Sequence, residues 1–319
     1  MATQTTTLQE RPASLSISGG QHLKGNGTSE PRDLPTTLYY YDEEAELAKA
    51  AEAAKAPEAG ADEKPKVAYP HTAQKPVELT VTDITGNESA YNLDQHGFML
   101  SKQVTEVILT SEDLGDDEKI KTQYYPEMQK WLKEVTGAPR VLVYHHGTRR
   151  SLEKGVKLEF GKMRSAPSGG PRPSAPPVYT VHLDQSSWEG YNIIRRHLKD
   201  ETESLLHKRV AIVNAWRPIK TVRRDPFGVA DASTVAPEDF VSRPYKFFEE
   251  TRETASVRPS DKHKWYFKRY QQADEVLIFK GFDMQGNARA APHSAFKDPE
   301  HEGDELRESI EIRALLIYD

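Results

Sequence analysis

The chain has 319 residues, enough for one large or two small domains. Lys and Arg total 43 against 49 Asp and Glu, a net charge of −6, so there is no general phosphate-neutralising surface, and neither nucleic acid nor an anionic membrane is expected as a main partner. Cysteine is absent, which removes disulfides, zinc–thiolate sites, iron–sulfur clusters and thiol catalysis together.

Apolar residues make up 36% and the mean hydropathy is −0.73, so polar tails or linkers should accompany an ordinary core. Residues 1–35 are rich in Thr, Ser, Gly and Pro and read as a disordered or loosely attached tail. The opening MATQTTTLQERPASL has no apolar stretch of signal-peptide length, and no run is long enough to span a bilayer. The expectation is a cytoplasmic protein. Residues 36–76 read as an extension and linker. Within them TTLYYYD (36–42) is a short aromatic strand. EEAELAKAAEAAKA (43–56) has helix propensity but little besides alanine to bury, and EAGADEKPK is linker.

A folded domain is expected over 77–319. VELTVTDITG (77–86) alternates as a strand, and LDQHGFMLSKQ (93–103) reads as a turn into another. Residues 116–137 read as a helix with Ile120, Tyr124, Met128, Trp131, Leu132 and Val135 on one side, Pro126 marking a kink or a start. PRVLVYHH (139–146) is a buried strand. The Pro/Gly-rich 161–177 segment reads as a long loop of the kind that forms lids. VYTVHLDQS (178–186) follows as a strand, 188–208 as one amphipathic helix and RVAIVNAWRP (209–218) as a strand. Residues 264–283 read as two strands joined by a turn near Gln272–Asp274, and RESIEIRALLIY (307–318) as a last strand. Short strands with clustered helices suit an antiparallel barrel or sandwich backed by helices, not repeating βαβ units.

The chemistry concentrates in His182-Leu183-Asp184. Side chains at i and i+2 of a strand share a face, so one imidazole and one carboxylate project together while Val181 and Leu183 turn to a core. Two legs of a 2-His-1-carboxylate metal site are often supplied this way. His293, in PHSAFKDP after a strand, is the candidate third ligand. Arg307 and Ser309 share a face of the last strand, where a planar guanidinium and a hydroxyl suit a ligand carboxylate. Asn214 and Trp216 share a face of the NAWRP strand, with Arg217 opposite. Asn214 is read as a cosubstrate donor and Trp216 as a pocket wall, the plainer alternative being core packing. Of the adjacent His145 and His146 only one can face the site. His146 with Arg149 and Arg150 is read as a possible substrate contact.

The blocks LDQHGFML, YHHGTRR, VHLDQS, VNAWRP, DEVLIFKGFD, PHSAFKDP and RESIEIRALLIY stand in order across 77–319. In them the sequence resembles the non-haem iron, 2-oxoglutarate-dependent oxygenases typified by gibberellin desaturase and the cephalosporin 7α-hydroxylase. The resemblance implies a mainly β, double-stranded β-helix (jelly-roll) core with flanking helices. It implies Fe(II) at His182, Asp184 and His293, 2-oxoglutarate on Arg307 and Ser309, and O2 as oxidant. The implied reaction is hydroxylation, desaturation or oxidative cyclisation of a small-molecule natural-product intermediate. One departure is His145-His146 where the family has an Asp-His pair. Two other readings stand beside it: a metal-dependent jelly-roll enzyme that does not use 2-oxoglutarate, for which Arg307 would be dispensable, and a non-catalytic binding protein. Nothing in the sequence indicates a homo-oligomer.

Overall fold

The computed structural model describes residues 31–53, 72–153, 156, 174–205, 207–247, 250–286 and 289–318. The strands among them are β1 (Leu34–Tyr41), β2 (Gln74–Asp83), β3 (Phe98–Lys102), β4 (Arg140–Arg150), β5 (His182–Leu183), β6 (Arg209–Pro218), β7 (Phe227–Ala230), β8 (Phe240–Phe247), β9 (Glu250–Val257), β10 (Trp265–Phe267), β11 (Glu275–Asp283), β12 (His293–Ala295) and β13 (Glu308–Tyr318). They form an eight-stranded sheet, β1-β2-β10-β7-β12-β5-β9-β8, and a five-stranded sheet, β3-β11-β6-β13-β4. The helices are α1 (Glu43–Ala53), α2 (Leu93–His96), α3 (Asp117–Lys119), α4 (Tyr125–Thr136), α5 (Ser187–Leu198) and α6 (Thr202–Leu205).

Strand alternation gives the five-stranded sheet two different faces. Ile310, Ile312, Ala314 and Leu316 of β13 pack with Ala211, Val213 and Ala215 of β6 against Ile120, Tyr124, Met128 and Leu132. Each large apolar side chain buried there contributes about 1.5–3 kcal/mol by leaving water. The π-helical turn Ile120–Tyr124 leads into α4, and Pro126 sits in the first turn of α4, where the change from π to α winding falls. On the opposite face Phe98, Trp216, Leu277 and Phe279 meet Phe227 and Val229 of the larger sheet. Two mostly antiparallel sheets enclosing a core, with helices outside, make the jelly-roll architecture expected from the sequence.

Several elements differ from their sequence reading. β1 pairs with β2 along its whole length, and Tyr40 is buried with its hydroxyl accepting from Trp265 Nε1 at 2.7 Å. The folded unit therefore includes residues before 77. The linker EAGADEKPK and most of the 161–177 loop lie outside the described residues. The expected 178–186 strand shrinks to His182–Leu183, because its start crosses over to bridge Tyr39 through Thr180. The 188–208 helix breaks at Lys199, whose φ of 43° ends α5 and leaves a 3₁₀ turn before α6. β10 and β11 are not a hairpin but belong to different sheets.

α5 packs on β11 through Gly190, where a Cβ would lie 2.6 Å from the Phe282 ring. Gly190→Ala is expected to cost about 1–3 kcal/mol through overpacking. Thermal unfolding should show a lowered midpoint, and an unchanged one would mean that α5 is free to shift off Phe282.

Candidate functional site

The site lies between the sheets, in a cleft that opens to solvent. His182 on β5 and His293 on β12 are direct cross-strand partners, with ring centroids 4.4 Å apart. Each imidazole donates its Nδ1–H to a backbone carbonyl two residues earlier, His182 to Thr180 at 2.8 Å and His293 to Ala291 at 3.3 Å. That fixes the tautomer and leaves both Nε2 lone pairs facing inward. Asp184 completes the set. Its Oδ1 lies 3.9 Å from His182 Nε2 and its Oδ2 3.7 Å from His293 Nε2, and one ligand atom from each residue falls within 4.8 Å of the others.

The five-stranded sheet holds Asp184 from the other side. Arg313 Nη2 donates to Oδ1 at 2.5 Å and Asn214 Nδ2 to Oδ2 at 2.6 Å. Arg313 and Asn214 are themselves register partners on β13 and β6. Burial alone would push the Asp184 carboxyl up. Arg313, with the two histidines and Asn214, outweighs burial and keeps it ionised well below the usual carboxylate range. Burial lowers His182 to about 4 and also lowers His293. Two neutral imidazoles and one carboxylate on one side of an open cleft fit a divalent metal such as Fe(II), which this donor set holds while leaving positions open.

The odd residues of β13 carry the rest. Arg307, just before the strand, is 3% exposed, and its Nη1 donates to the Asp225 carbonyl at 2.6 Å. Its Nε and the Ser309 hydroxyl are buried without hydrogen-bond partners, and so is Trp216 Nε1, with the Arg307 guanidinium 5.3 Å from the Trp216 ring. Burial lowers the Arg307 pKa to about 10, and it makes no ion pair with a described carboxylate. Buried donors left unsatisfied are costly, so this corner fits an anionic ligand. Arg307, Arg149, Trp216, Phe227 and Glu311 line the cleft with the three metal-ligand candidates. Glu311 accepts from Arg313 Nε at 3.2 Å, and burial, then Asp184, raises its pKa.

A bulge decides which histidine of YHHG faces this cleft. Arg313 pairs with His145 but Ala314 pairs with Val143, so Tyr144 is an extra residue and strand parity flips there. His145, Gly147 and Arg149 thereby join the face that carries Arg313, Glu311 and Ser309. His146 turns to the helices, its Nδ1 2.8 Å from the Tyr125 hydroxyl and its Nε2 3.3 Å from Asp117. It is therefore removed from the substrate contacts. Asn214, expected to donate to a cosubstrate, donates to Asp184 instead. Arg217 has the structural role, its Nε on the Ala273 carbonyl at 2.7 Å. Sequence reasoning missed Arg313 and Glu311. Continuing the Arg307, Ser309 alternation to 311 and 313, against buried Ile310 and Ile312, would have found them.

A jelly-roll with a His-Asp-His donor set and an unpaired buried cation beside it defines a mononuclear non-haem metalloenzyme. A family model described as an oxidoreductase/YMDC permease-like domain matches residues 38–317. No helix among the described residues is long and apolar enough to cross a membrane. The α-ketoglutarate-dependent dioxygenase tstK of Talaromyces stipitatus is 32% identical over 75% of this chain and 84% of its own. The hydroxylase/desaturase efuI of Hormonema carpetanum is 35% identical over 76% and 83%. The solved structure of the iron and alpha-ketoglutarate-dependent endoperoxidase NvfI superposes with a TM-score of 0.67 at 23% identity, covering 90% of this chain and 98% of that one. The chain belongs to the family of fungal α-ketoglutarate-dependent dioxygenases and hydroxylase/desaturases.

Removing a group that orients a metal ligand typically costs about 10–100-fold in metal affinity. Asn214→Ala is expected to weaken metal binding by about tenfold or more. Calorimetric titration with Co(II), with circular dichroism as the folding control, reads this directly.

Proposed function

We propose that this enzyme oxidises a C–H bond of a small natural-product intermediate, by hydroxylation, desaturation or oxidative cyclisation, and that it does so in the cytoplasm. His182 Nε2, the Asp184 carboxylate and His293 Nε2 hold Fe(II). Arg307, with the Ser309 hydroxyl, takes the distal carboxylate of 2-oxoglutarate. Iron, once bound, would supply the oxidising power for the reaction of 2-oxoglutarate with O2. The protein's own tasks are orientation and exclusion of water. Trp216 and Phe227, stacked with ring centroids 4.8 Å apart, form a rigid wall between the Arg307 corner and His293. Arg313 and Asn214 hold Asp184 so that it need not reorganise when metal arrives. Arg149 lies across the ladder from Ser309 and lines the cleft, its Nη1 donating to the Pro176 carbonyl at 3.3 Å.

The observation that carries this reading is the buried, unsatisfied Arg307 Nε beside the equally unsatisfied Ser309 Oγ. A metal enzyme that does not use 2-oxoglutarate has no need of that corner. The relatives' names point the same way.

Anaerobic protein loaded with Fe(II) is expected to develop a visible charge-transfer band on addition of 2-oxoglutarate. His182→Ala should abolish the band. Arg307→Ala should raise the 2-oxoglutarate dissociation constant by about 100-fold, as losing a buried charge partner does. Absence of the band in folded, iron-loaded wild type would exclude 2-oxoglutarate as the cosubstrate.

A further inference from the structure

Asp225 stands between β6 and β7, outside the metal-ligand set. It is a non-glycine residue with a φ of 54°, in the left-handed region, and it precedes Pro226, which restricts its backbone further. Its side chain is 1% exposed. Oδ2 accepts from Ser151 Oγ at 2.5 Å and Oδ1 from Lys297 Nζ at 2.7 Å, with Arg224 Nε 3.4 Å from Oδ2. Lys297 Nζ also donates to the Tyr179 hydroxyl at 2.9 Å. The Asp225 backbone carbonyl accepts from Arg307 Nη1 at 2.6 Å, and the Ser151 N–H donates to the Arg307 carbonyl at 2.8 Å. Arg307, Ser151 and Asp225 thus close a ring of three hydrogen bonds that fixes both the backbone and the guanidinium of Arg307.

We propose that Asp225 is a positioning residue for Arg307, turning a carbonyl rather than its carboxylate toward the guanidinium so that Arg307 is oriented yet still free to bind an anion. This rests on Arg307 being the 2-oxoglutarate anchor. A carboxylate in bidentate contact would occupy the planar fork and cancel the charge that a ligand carboxylate needs. The carbonyl directs one N–H and carries no net charge. Ser151 and Lys297 engage the Asp225 carboxylate in their own hydrogen bonds and keep it out of direct contact with Arg307. The left-handed backbone is what points carbonyl and carboxylate in these two directions, and Asp and Asn tolerate it better than most residues.

The test compares metal and cosubstrate binding in wild type, Asp225→Ala, Asp225→Asn and Ser151→Ala. Co(II) is titrated by calorimetry, and 2-oxoglutarate by the visible band of the anaerobic Fe(II) protein. Asp225→Ala is expected to raise the 2-oxoglutarate dissociation constant by about tenfold or more while Co(II) affinity stays within about twofold. Ser151→Ala should move in the same direction by a smaller factor. Asp225→Asn, which keeps the backbone preference and the acceptor for Ser151, should remain within about threefold of wild type. Unchanged 2-oxoglutarate binding in Asp225→Ala, or parallel loss of Co(II) and 2-oxoglutarate in both Asp225 variants, overturns the proposal. Wild type that binds Co(II) but takes up no 2-oxoglutarate overturns the reading of Arg307 as anchor, and this proposal with it.

Discussion

Asp184 is presented from the eight-stranded sheet, yet its hydrogen-bond donors, Arg313 and Asn214, belong to the five-stranded sheet. A carboxylate at this depth is expensive unless paired, and an arginine at this depth equally so. Each makes the other tolerable only if the two sheets keep their spacing and register. The apolar layer of Phe98, Trp216, Phe227 and Phe279 sets that spacing at one end. At the other, α5, which follows β5 closely in the chain, packs on Ile212, Phe282, Leu315 and Ile317 of the five-stranded sheet. The charged centre is therefore a product of the packing around it, and it tests that packing, since a shift of either sheet would strand two buried charges.

The row Arg307, Ser309, Glu311, Arg313 shows how much chemistry one strand face can arrange. Its first member is the buried guanidinium whose Nε has no partner, and its last donates to Asp184, the candidate metal-ligand carboxylate. Glu311 between them tempers the positive charge of Arg313. On the other face of the same strand Ile310, Ile312, Ala314 and Leu316 are buried in the cluster that holds α4. Function and stability are interleaved residue by residue, which limits how far either can change without touching the other.

Local rules made much of this legible. His182 and Asp184 at i, i+2, and Arg307 and Ser309 likewise, follow from alternation alone, and His293 from its place downstream just after a strand. What escaped depends on partners distant in sequence. β1 looks like an extension until its ladder with β2 is known. Lys199 gives no glycine signal for the break after α5. The histidine facing the cleft was misassigned because a bulge leaves no mark in YHHG. His263 sits in a stretch of charged residues, yet its side chain is buried between Tyr40 and Asp239. Asn214 was read toward a cosubstrate because the carboxylate it meets lies thirty positions earlier in the chain and on the other sheet.

The bulge at Tyr144 makes the entrance of the cleft sensitive to a kind of change that point substitution does not reach. Everything from His145 to Arg149 owes its facing to one supernumerary residue in β4. Closing the bulge without shortening the strand, so that Tyr144 takes its place opposite Arg313, would slide the ladder with β13 by one residue and exchange the two faces from there on, presenting His146 and Thr148 to the cleft and turning His145 and Arg149 toward α4. Such a slip would rewrite the rim of the pocket while His182, Asp184, His293 and Arg307 stay where they are, so a single sequence on this scaffold has two surfaces to present and no alignment distinguishes them.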